Sequence, residues 1–489
     1  MKYIALTGAT GLLGSYLLKD LLRRDIPVLT LIRSSRRESA KQRIEGILRR
    51  FEAQLGRSLP RPVIMESDLH KPELGLNKAQ IHWISQHVES ILHNAASLTF
   101  VADENGEPYA SNVKGMQHVL QLCQSANIRK FYHVSTCYVC GLRQGVVLES
   151  ELDEGQEFGN DYEKSKVEAE KMVRSCRFID SLTVFRPAII VGDRHTGYTP
   201  TFHGFYAPIK IVLPFADPVK TTDNDFAQYS AVLGMKLSDR KNFVPVDWIS
   251  QVMTYVISRP EHHDKTYHLS AANRVKIEEM GKVIIEGIKK YVKRDAAHPG
   301  ISADFDQILS TFSGQMGVYK AYWKDDPEFD MTNTIQAAPH LPPPMMTHDL
   351  LLTLVRYAMQ SNCGWPLPKP TVLENDVQAI FDASDKSNNK PESGLAAPPS
   401  EGFLFSLRVT GRGGGDWTVC YNNGQIETYQ GLSSSNDLPL MTMNAVTFHR
   451  LDSCSDSDLF WNVSWENASL DAKGKAIQLL KNFRLKAEN

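Results

Sequence analysis

The sequence predicts an α/β protein built on a doubly wound parallel sheet, and three features of the chain support that prediction. A glycine-rich turn joins the first apolar run to an amphipathic stretch, and apolar runs then alternate with segments of helical periodicity. Small and polar residues follow several of these runs, at the positions where such a sheet binds its ligands. We therefore expect the functional residues at the carboxyl ends of the strands.

The first predicted strand, residues 2–6, runs directly into a turn in which Gly8, Gly11 and Gly14 recur at regular spacing. Apolar residues at helical spacing follow, so the free N–H groups and the positive dipole end of a helix face the turn and suit a pyrophosphate. Gly8 allows the sharp turn, Gly11 lets a phosphate approach the backbone, and Gly14 lets the helix pack closely on the strand.

The second predicted strand, residues 27–32, is followed by Arg33 and by no Asp or Glu where an NAD-binding sheet holds the ribose hydroxyls. A cation at this strand end suits the 2′-phosphate of NADP. Arg36 and Arg37 follow closely, and we interpret these two as the start of a solvated helix.

Four further strands are predicted, and small or polar residues follow three of them. Asp68 after the third strand can accept a hydrogen bond from an adenine amino group. Asn94, Ala95 and Ala96 after the fourth leave room for a dinucleotide, and Thr136 ends the fifth. These strands are predicted at residues 62–66, 89–93, 130–135 and 182–186.

Tyr162 and Lys166 lie one helical turn apart in a stretch of helical pattern, which places both on one helix face. A free tyrosine has a pKa near ~10 and exchanges protons poorly at neutral pH. Because a nearby ammonium and an oxidised nicotinamide both favour the phenolate, we expect the pKa of Tyr162 to be lowered. Tyr162 could then exchange a proton with a substrate oxygen that Thr136 also holds.

The composition is that of an ordinary globular protein, with 489 residues, 42% hydrophobic, 22% charged and a formal charge of −2. The length predicts two or three domains, and the charge argues against a nucleic-acid partner. No apolar run is long enough for a transmembrane segment, and a strand starting at Lys2 leaves no room for a signal peptide. With seven scattered cysteines, which favour free thiols, these features predict a cytoplasmic location.

These motifs resemble the extended short-chain dehydrogenase/reductases, and within them the thioester and fatty-acyl reductases of the male-sterility NAD-binding branch. The resemblance covers roughly residues 1–275 and also rests on residues 68–76, 93–96, 112–115, 134–136, 186–193 and 243–248. It implies a Rossmann fold, no metal, and a catalytic set of Thr136, Tyr162 and Lys166. The NADPH site that it implies consists of Gly8, Thr10, Gly11, Leu12, Gly14, Arg33, Asp68, Leu69, Asn94, Ala95, Ala96, Tyr162, Lys166, Pro187 and Ile189.

The activity implied by the resemblance is NADPH-dependent reduction of an acyl thioester or fatty aldehyde to an aldehyde, an alcohol or both. We expect the thioester to arrive as acyl-CoA or on an acyl carrier protein. The same side chains would serve an NADP-dependent dehydrogenase or epimerase of a sterol-like or sugar hydroxyl, so that alternative stays open. A third class, a non-catalytic NADP sensor, is disfavoured by Tyr162 and Lys166. A homodimer is compatible with each.

Four segments are predicted along the chain. They are the sheet with inserted substrate-binding segments (1–275), a helical substrate cap (276–382), a polar linker (383–402) and a small α+β domain (403–489). The last segment loosely resembles the sterol-carrier-protein fold, and a structural or dimerising module is an equal alternative. We expect it to be a separate domain on a flexible tether that delivers the substrate, either by holding a hydrophobic acyl or lipid chain or by docking the protein that carries it.

Two local segments each have two interpretations. Cys137 and Cys140 have metal-site spacing, but they are predicted to continue the fifth strand, where residues three apart face opposite sides. A metal or redox role is therefore disfavoured. The aromatic segment 195–206 fits either a substrate lid or ordinary packing.

Overall fold

The structure is a computed structural model, and the predicted linker lies outside its described residues except for Gly402. Residues 294–323 of the predicted cap lie outside them as well. The described residues are 2–216, 223–232, 235–293, 324–373, 377–378, 380–381, 402–422, 425–433, 435, 437–451, 459 and 462–487. Within these ranges, no helix combines the length and apolar character needed to cross a bilayer.

A seven-stranded parallel sheet forms the centre of the molecule, in the order β11-β7-β5-β4-β1-β2-β3. The strands before residue 330 are β1 (Tyr3–Thr7), β2 (Val28–Ile32), β3 (Val63–Glu66), β4 (Val88–His93), β5 (Lys130–Val134), β6 (Val146–Val147), β7 (Ser181–Pro187), β8 (Ile189–Val191), β9 (Arg240–Lys241), β10 (Phe243–Pro245), β11 (Thr266–Leu269), β12 (Val275–Lys276) and β13 (Glu328–Phe329). The predicted doubly wound sheet is confirmed. Its seventh strand, β11, was not predicted, because its four residues include a polar His268 that interrupts the apolar run.

Helices cover both faces of this sheet. They are α1 (Leu12–Arg23), α2 (Ala40–Leu55), α3 (Lys78–His87), α4 (Gly115–Ser125), α5 (Asp161–Ser175) and α8 (Val246–Ile257). The helices α6 (Ala207–Val212), α7 (Asp223–Val232) and α9 (Ile277–Tyr291) lie beyond the carboxyl ends of the strands. One core packs α1, α2 and α8 on the first face, and another packs α3, α4 and α5 on the second. Local sequence fixes the start of α2, where Ser39 and Gln42 form a reciprocal capping box.

A third core lies above the carboxyl ends of the strands and forms the cap. It joins α6, α9 and the helix His348–Gln360 to the short parallel pair β8 and β10. Apolar residues at helical spacing on α9 and on His348–Gln360 face each other, because each helix has one apolar side to bury.

The carboxy-terminal unit is a five-stranded sheet in the order β16-β15-β14-β17-β18. Its strands are β14 (Phe403–Thr410), β15 (Gly415–Asn422), β16 (Gln425–Gln430), β17 (Leu440–Asn444) and β18 (Val463–Glu466). The helices Ala445–His449 and Leu470–Ala487 belong to the same unit. One face of the sheet and its helices enclose a core of their own.

This unit packs directly against the central sheet at the amino ends of its strands. The Trp83 indole Nε1 donates to the Gln430 carbonyl at 2.9 Å, and the Gly411 N–H donates to the Leu59 carbonyl at 3.2 Å. The Leu432 N–H donates to the Tyr3 hydroxyl at 2.7 Å. We did not predict this docking, since it joins residues from opposite ends of the chain.

Candidate active site

The glycine turn is built for close backbone contact. Gly8 has a φ of +69°, and a Cβ there would lie 2.7 Å from the Ala95 nitrogen. A Cβ at Gly14 would lie 2.0 Å from the Gly8 carbonyl oxygen, so α1 packs against the turn only because residue 14 is glycine. The Asn94 side chain donates to the same carbonyl at 3.2 Å and braces the turn.

Gly11 differs from these two glycines. A Cβ at Gly11 would meet only the Gly8 oxygen, at 3.5 Å, so protein packing does not require glycine there. Gly11 lies immediately before α1 and lines the cavity at the carboxyl edge of the sheet. Free backbone N–H groups at this helix start fit a phosphate group of a dinucleotide.

The cavity has a volume of about 610 Å³ and brings the predicted site residues together. Its walls include the ends of β1, β2, β4, β5 and β7, as a parallel sheet requires of a shared ligand site. Every residue of the predicted catalytic and cofactor sets lines it except Gly14, which packs on Gly8 instead. The convergence follows from the fold, while the roles of these residues stay predictions.

Two arginines lie at one end of the cavity. Arg33 follows β2 as predicted, and Arg43 reaches the same wall from α2. The Arg43 guanidinium donates to the Arg33 carbonyl at 2.6 Å and to the Thr10 hydroxyl at 2.7 Å. Burial and the neighbouring charge of Arg33 lower the pKa of Arg43, as expected of two cations held close together.

The sequence did not predict Arg43 as a site residue, because only the packing of α2 brings it to the glycine turn. Its one sequence signal was its place in the first helical turns after β2, close to the predicted cation at Arg33. Arg36 and Arg37 are exposed and lie outside the cavity wall, and the Arg37 guanidinium donates to the Pro368 carbonyl at 2.9 Å.

A histidine that we did not predict lies beside Asp68. His70 Nδ1 lies 3.0 Å from Asp68 Oδ1, and His70 Nε2 lies 3.2 Å from Glu107 Oε1. The bond to Asp68, and then the one to Glu107, raise the pKa of His70 against the effect of its partial burial. The Asp68 carboxylate, which is predicted to contact adenine, therefore also bonds His70 through Oδ1.

The predicted catalytic residues lie at the centre of the cavity. The side chain of Asn160 accepts from the Glu163 N–H and caps α5, so Tyr162 and Lys166 stand on the first turns of this helix. Lys166 Nζ donates to the Val134 carbonyl at 2.8 Å. The hydroxyl of Thr136 donates to the Pro187 carbonyl at 3.3 Å.

We expected a lowered pKa for Tyr162, but the surrounding protein groups raise it. Burial raises the pKa of Tyr162, and a hydrogen bond with Thr136 only partly opposes the rise. Burial also lowers the pKa of Lys166 to about 8, while Glu170 acts in the other direction. Burial therefore favours the phenol form of Tyr162, which is the form that donates a proton.

The prediction that Cys137 and Cys140 continue β5 is wrong. They form a 3₁₀ turn, Cys137–Cys140, because the Thr136 hydroxyl accepts from the Tyr138 N–H and caps it. Both thiols are buried, and burial raises their pKa. Among the described residues, no group of three or more His, Cys, Asp or Glu side chains could hold a metal ion.

The far end of the cavity is mainly apolar and reaches under the cap. In segment 195–206, Phe205 and Tyr206 pack into the cap core, as the packing interpretation predicts. Thr201, His203 and Gly204 line the cavity, and a role of this segment as a substrate lid stays a prediction. The other wall residues near the cap are Pro208, Met235, Lys241, Phe243, Ile277 and Met280. Leu98 and Phe100 also line the cavity, and the Phe100 ring lies edge-on to Tyr162 with the ring centroids 5.9 Å apart.

Residues 6–253 match the family model described as male sterility protein, which is an NAD-binding family. The chain belongs to this family. As a member of this male-sterility branch of the extended short-chain dehydrogenase/reductases, it falls among oxidoreductases. The family and the glycine turn together indicate a nicotinamide dinucleotide as its cofactor.

Its relatives include larger enzymes. The chain is 26% identical over 290 residues to the nonribosomal peptide synthetase asaC of Aspergillus flavus, covering 54% of this chain and 26% of the relative. It is 26% identical over 246 residues to the fatty acyl-CoA reductase wat of Drosophila melanogaster, covering 43% of this chain and 47% of the relative. The matches thus span less than half the length of these two curated relatives.

Solved structures agree on the fold of this family member. The terminal R domain from the myxalamid PKS-NRPS biosynthetic pathway is 25% identical with a TM-score of 0.56, covering 76% of this chain and 92% of that one. The reductase domain of a nonribosomal peptide synthetase from Mycobacterium tuberculosis is 18% identical with a TM-score of 0.53, covering 74% and 92%.

Proposed function

We propose that the protein is an NADPH-dependent reductase of acyl thioesters or fatty aldehydes. One observation carries the proposal: a single cavity joins a pair of arginines, a Thr–Tyr–Lys set and apolar side chains from the cap. Each part fits one part of the reaction, namely the 2′-phosphate, the carbonyl oxygen and the acyl chain. The relatives named as a fatty acyl-CoA reductase and a peptide synthetase support a carbonyl held in a thioester.

The residues that would hold the cofactor are the glycine turn and the arginine pair. Gly11 at the start of α1 would meet the pyrophosphate. Arg33 and Arg43 would meet the 2′-phosphate, because charged donors bind phosphate more strongly than neutral ones do. When bound, the cofactor supplies the hydride for the substrate carbonyl.

The chain itself would supply the proton and stabilise the oxyanion. Tyr162, held as a phenol by burial, would donate to the carbonyl oxygen as negative charge develops there. Thr136 would give a second hydroxyl contact, and the Lys166 charge would stabilise the tyrosinate that remains. A thioester reduced in this way forms a hemithioacetal, which collapses to an aldehyde and a free thiol.

The apolar end of the cavity favours a fatty substrate over a polar one. Phe100, Phe243 and Met280 are among the side chains that would contact an acyl chain along its length. The thioester would arrive as acyl-CoA or on a carrier protein, and we propose both as donors.

The test uses the full-length protein and follows NADPH absorbance together with thiol release. We expect a long-chain acyl-CoA to consume NADPH and to release free CoA in step with aldehyde. A fatty aldehyde should consume NADPH without thiol release. Reduction of NADP⁺ by secondary alcohols, with no turnover of any thioester or aldehyde, would overturn the proposal in favour of a hydroxyl dehydrogenase.

A further inference from the structure

We propose that residues 365–372, here called the strap, position the arginine pair and so set the preference for NADPH over NADH. The strap connects the cap to the carboxy-terminal unit. This inference rests on the proposed function, because it takes Arg33 and Arg43 as the groups that meet the 2′-phosphate.

The strap lies along one face of α2 and its approach. Glu38 Oε1 accepts from the Thr371 N–H at 2.8 Å, and Gln42 Nε2 donates to the Thr371 carbonyl at 2.9 Å. The Arg49 guanidinium donates to the Val372 carbonyl at 2.5 Å. Positions 38, 42, 46 and 49 are separated by about one helical turn each, so these contacts form a continuous stripe.

Backbone atoms of the strap make these contacts, while several of its side chains face solvent. Trp365 is 67% exposed and Val372 is 66% exposed, so burial of these two side chains does little to hold the strap in place. Both backbone polar groups of Thr371 are paired with α2 or the residues just before it. Small steric changes on this helix face should therefore displace the strap.

The same strap ties down the loop that carries Arg33. Residues 33–37 between β2 and α2 are exposed, and the Arg37 guanidinium donates to the Pro368 carbonyl at 2.9 Å. Glu38, at the end of this loop, accepts from Thr371. The loop thus has two contacts with the strap, made by the adjacent residues Arg37 and Glu38.

Arg43 depends on the placement of α2 itself. It follows Gln42, which bonds the strap, and its guanidinium reaches the Arg33 carbonyl and the Thr10 hydroxyl. Hydrogen bonds weaken steeply with distance and angle, so a small shift of α2 would separate the two arginines from the turn.

The carboxy-terminal unit holds the segment after α2 as well. Leu59 lies shortly after the end of the helix and accepts from the Gly411 N–H at 3.2 Å. A Cβ at Gly411 would lie 3.2 Å from the Ser58 hydroxyl oxygen, which shows how closely these two segments approach each other. The carboxy-terminal region therefore contacts α2 or its flanks at both ends, although the unit lies at the edge of the sheet opposite the cavity.

Gly46 offers a direct way to lift the strap. A Cβ at Gly46 would lie 2.5 Å from the Thr371 hydroxyl oxygen, and glycine is otherwise the poorer residue within a helix. In the full-length protein, Gly46→Leu should weaken NADPH binding about tenfold and leave the NADH dissociation constant within about twofold. Ala53→Leu, on an exposed part of α2, is the matched control and should change neither.

A second pair of variants keeps the test open if Gly46→Leu does not fold. Gly46→Ala should reduce the NADPH-to-NADH affinity ratio, and adding Thr371→Ala should restore it, since the side-chain oxygen that meets the new methyl is removed. A Gly46→Leu protein, or a Gly46→Ala protein if the first does not fold, that keeps the wild-type ratio overturns the strap proposal alone. A wild-type protein that binds NADPH and NADH equally would instead overturn the cofactor assignment under the proposed function.

Discussion

Glycine allows close backbone contact at both the carboxyl and the amino ends of the strands of the central sheet, here called the carboxyl edge and the amino edge, but the contact has a different result at each. At the carboxyl edge, Gly8 lets the turn approach Ala95, and the space beyond opens into the cavity. At the amino edge, a Cβ at Gly431 would lie 2.6 Å from the Trp83 ring, and the space is filled by the carboxy-terminal sheet. Glycine allows close approach in both places. What differs is whether a cavity or another part of the chain meets the backbone.

A tyrosine at each edge makes the contrast sharper. Tyr162 lies inside the protein with part of its surface facing the cavity. Tyr3 is fully buried, accepts from the Leu432 N–H at 2.7 Å, and lies 3.4 Å from Asp416 Oδ2. The Arg408 guanidinium bonds both oxygens of that carboxylate at 3.0 Å. Tyrosine therefore has a structural task at the amino edge, and in the proposed mechanism it has a chemical task at the carboxyl edge.

The largest effect should come from Tyr162→Phe. Removing the proton donor but keeping the ring should lower turnover by about 10²–10⁴-fold. NADPH affinity and the unfolding transition should stay near wild type, which calorimetry and denaturation would show. Full activity in the Phe variant would mean that another group protonates the substrate.

The matched change at the other edge is Tyr3→Phe. It leaves the buried Leu432 N–H without its acceptor, so the free energy of unfolding should fall by about 1–3 kcal/mol. Turnover per folded molecule should not change. If Tyr3→Phe reduced turnover without reducing stability in urea, the division between the two edges would be wrong.

Arg43→Ala separates the phosphate end of the cavity from its reacting end. We expect about tenfold weaker NADPH binding with unchanged NADH binding, because only NADPH carries the 2′-phosphate. Arg36→Ala, at an exposed position outside the cavity wall, is the control. Equal losses of affinity for NADPH and NADH would show that Arg43 supports the glycine turn through Thr10 rather than binding the 2′-phosphate.

The smallest effect concerns pH and His70. The contacts with Asp68 and Glu107 raise its pKa in the folded protein, so protonated His70 contributes stability below its ordinary pKa. That contribution is lost as pH rises through the raised value. The difference in unfolding free energy between wild type and His70→Asn should therefore shrink from about pH 6 to pH 8. Since the pair is partly exposed, it should stay below about 1 kcal/mol. A difference in unfolding free energy that stays constant across this pH range would contradict the raised pKa of His70.

Local sequence signals predicted six of the seven strands of the central sheet and part of the cavity wall. The turn Gly8, Gly11 and Gly14 and the alternation of strands and helices can be recognised without knowing any long-range contact. Thr136 and Tyr162 converge because each comes from an element at the carboxyl edge. These positions follow from the topology of a parallel sheet, so the pattern alone was enough.

The remaining features depend on contacts that leave no local pattern. Arg43 reaches the cavity only through the packing of α2, and the strap is held through backbone atoms of Thr371, whose side chain gives no hint of the contact. Tyr3 meets Asp416 across 413 residues of sequence. A separate carboxy-terminal domain was predicted from the change in composition along the chain. Composition carries no information about where such a unit docks.

In the proposed reaction, hydride passes from NADPH to a thioester carbonyl at the carboxyl edge of the sheet. The most direct measurement uses NADPH deuterated at both C4 positions, a long-chain acyl-CoA and mass spectrometry of the product. We predict an aldehyde with one deuterium at its carbonyl carbon, or an alcohol with two, together with free CoA and with no product from Tyr162→Phe on the same timescale. An aldehyde without deuterium, or a fatty acid released by hydrolysis, would contradict the account.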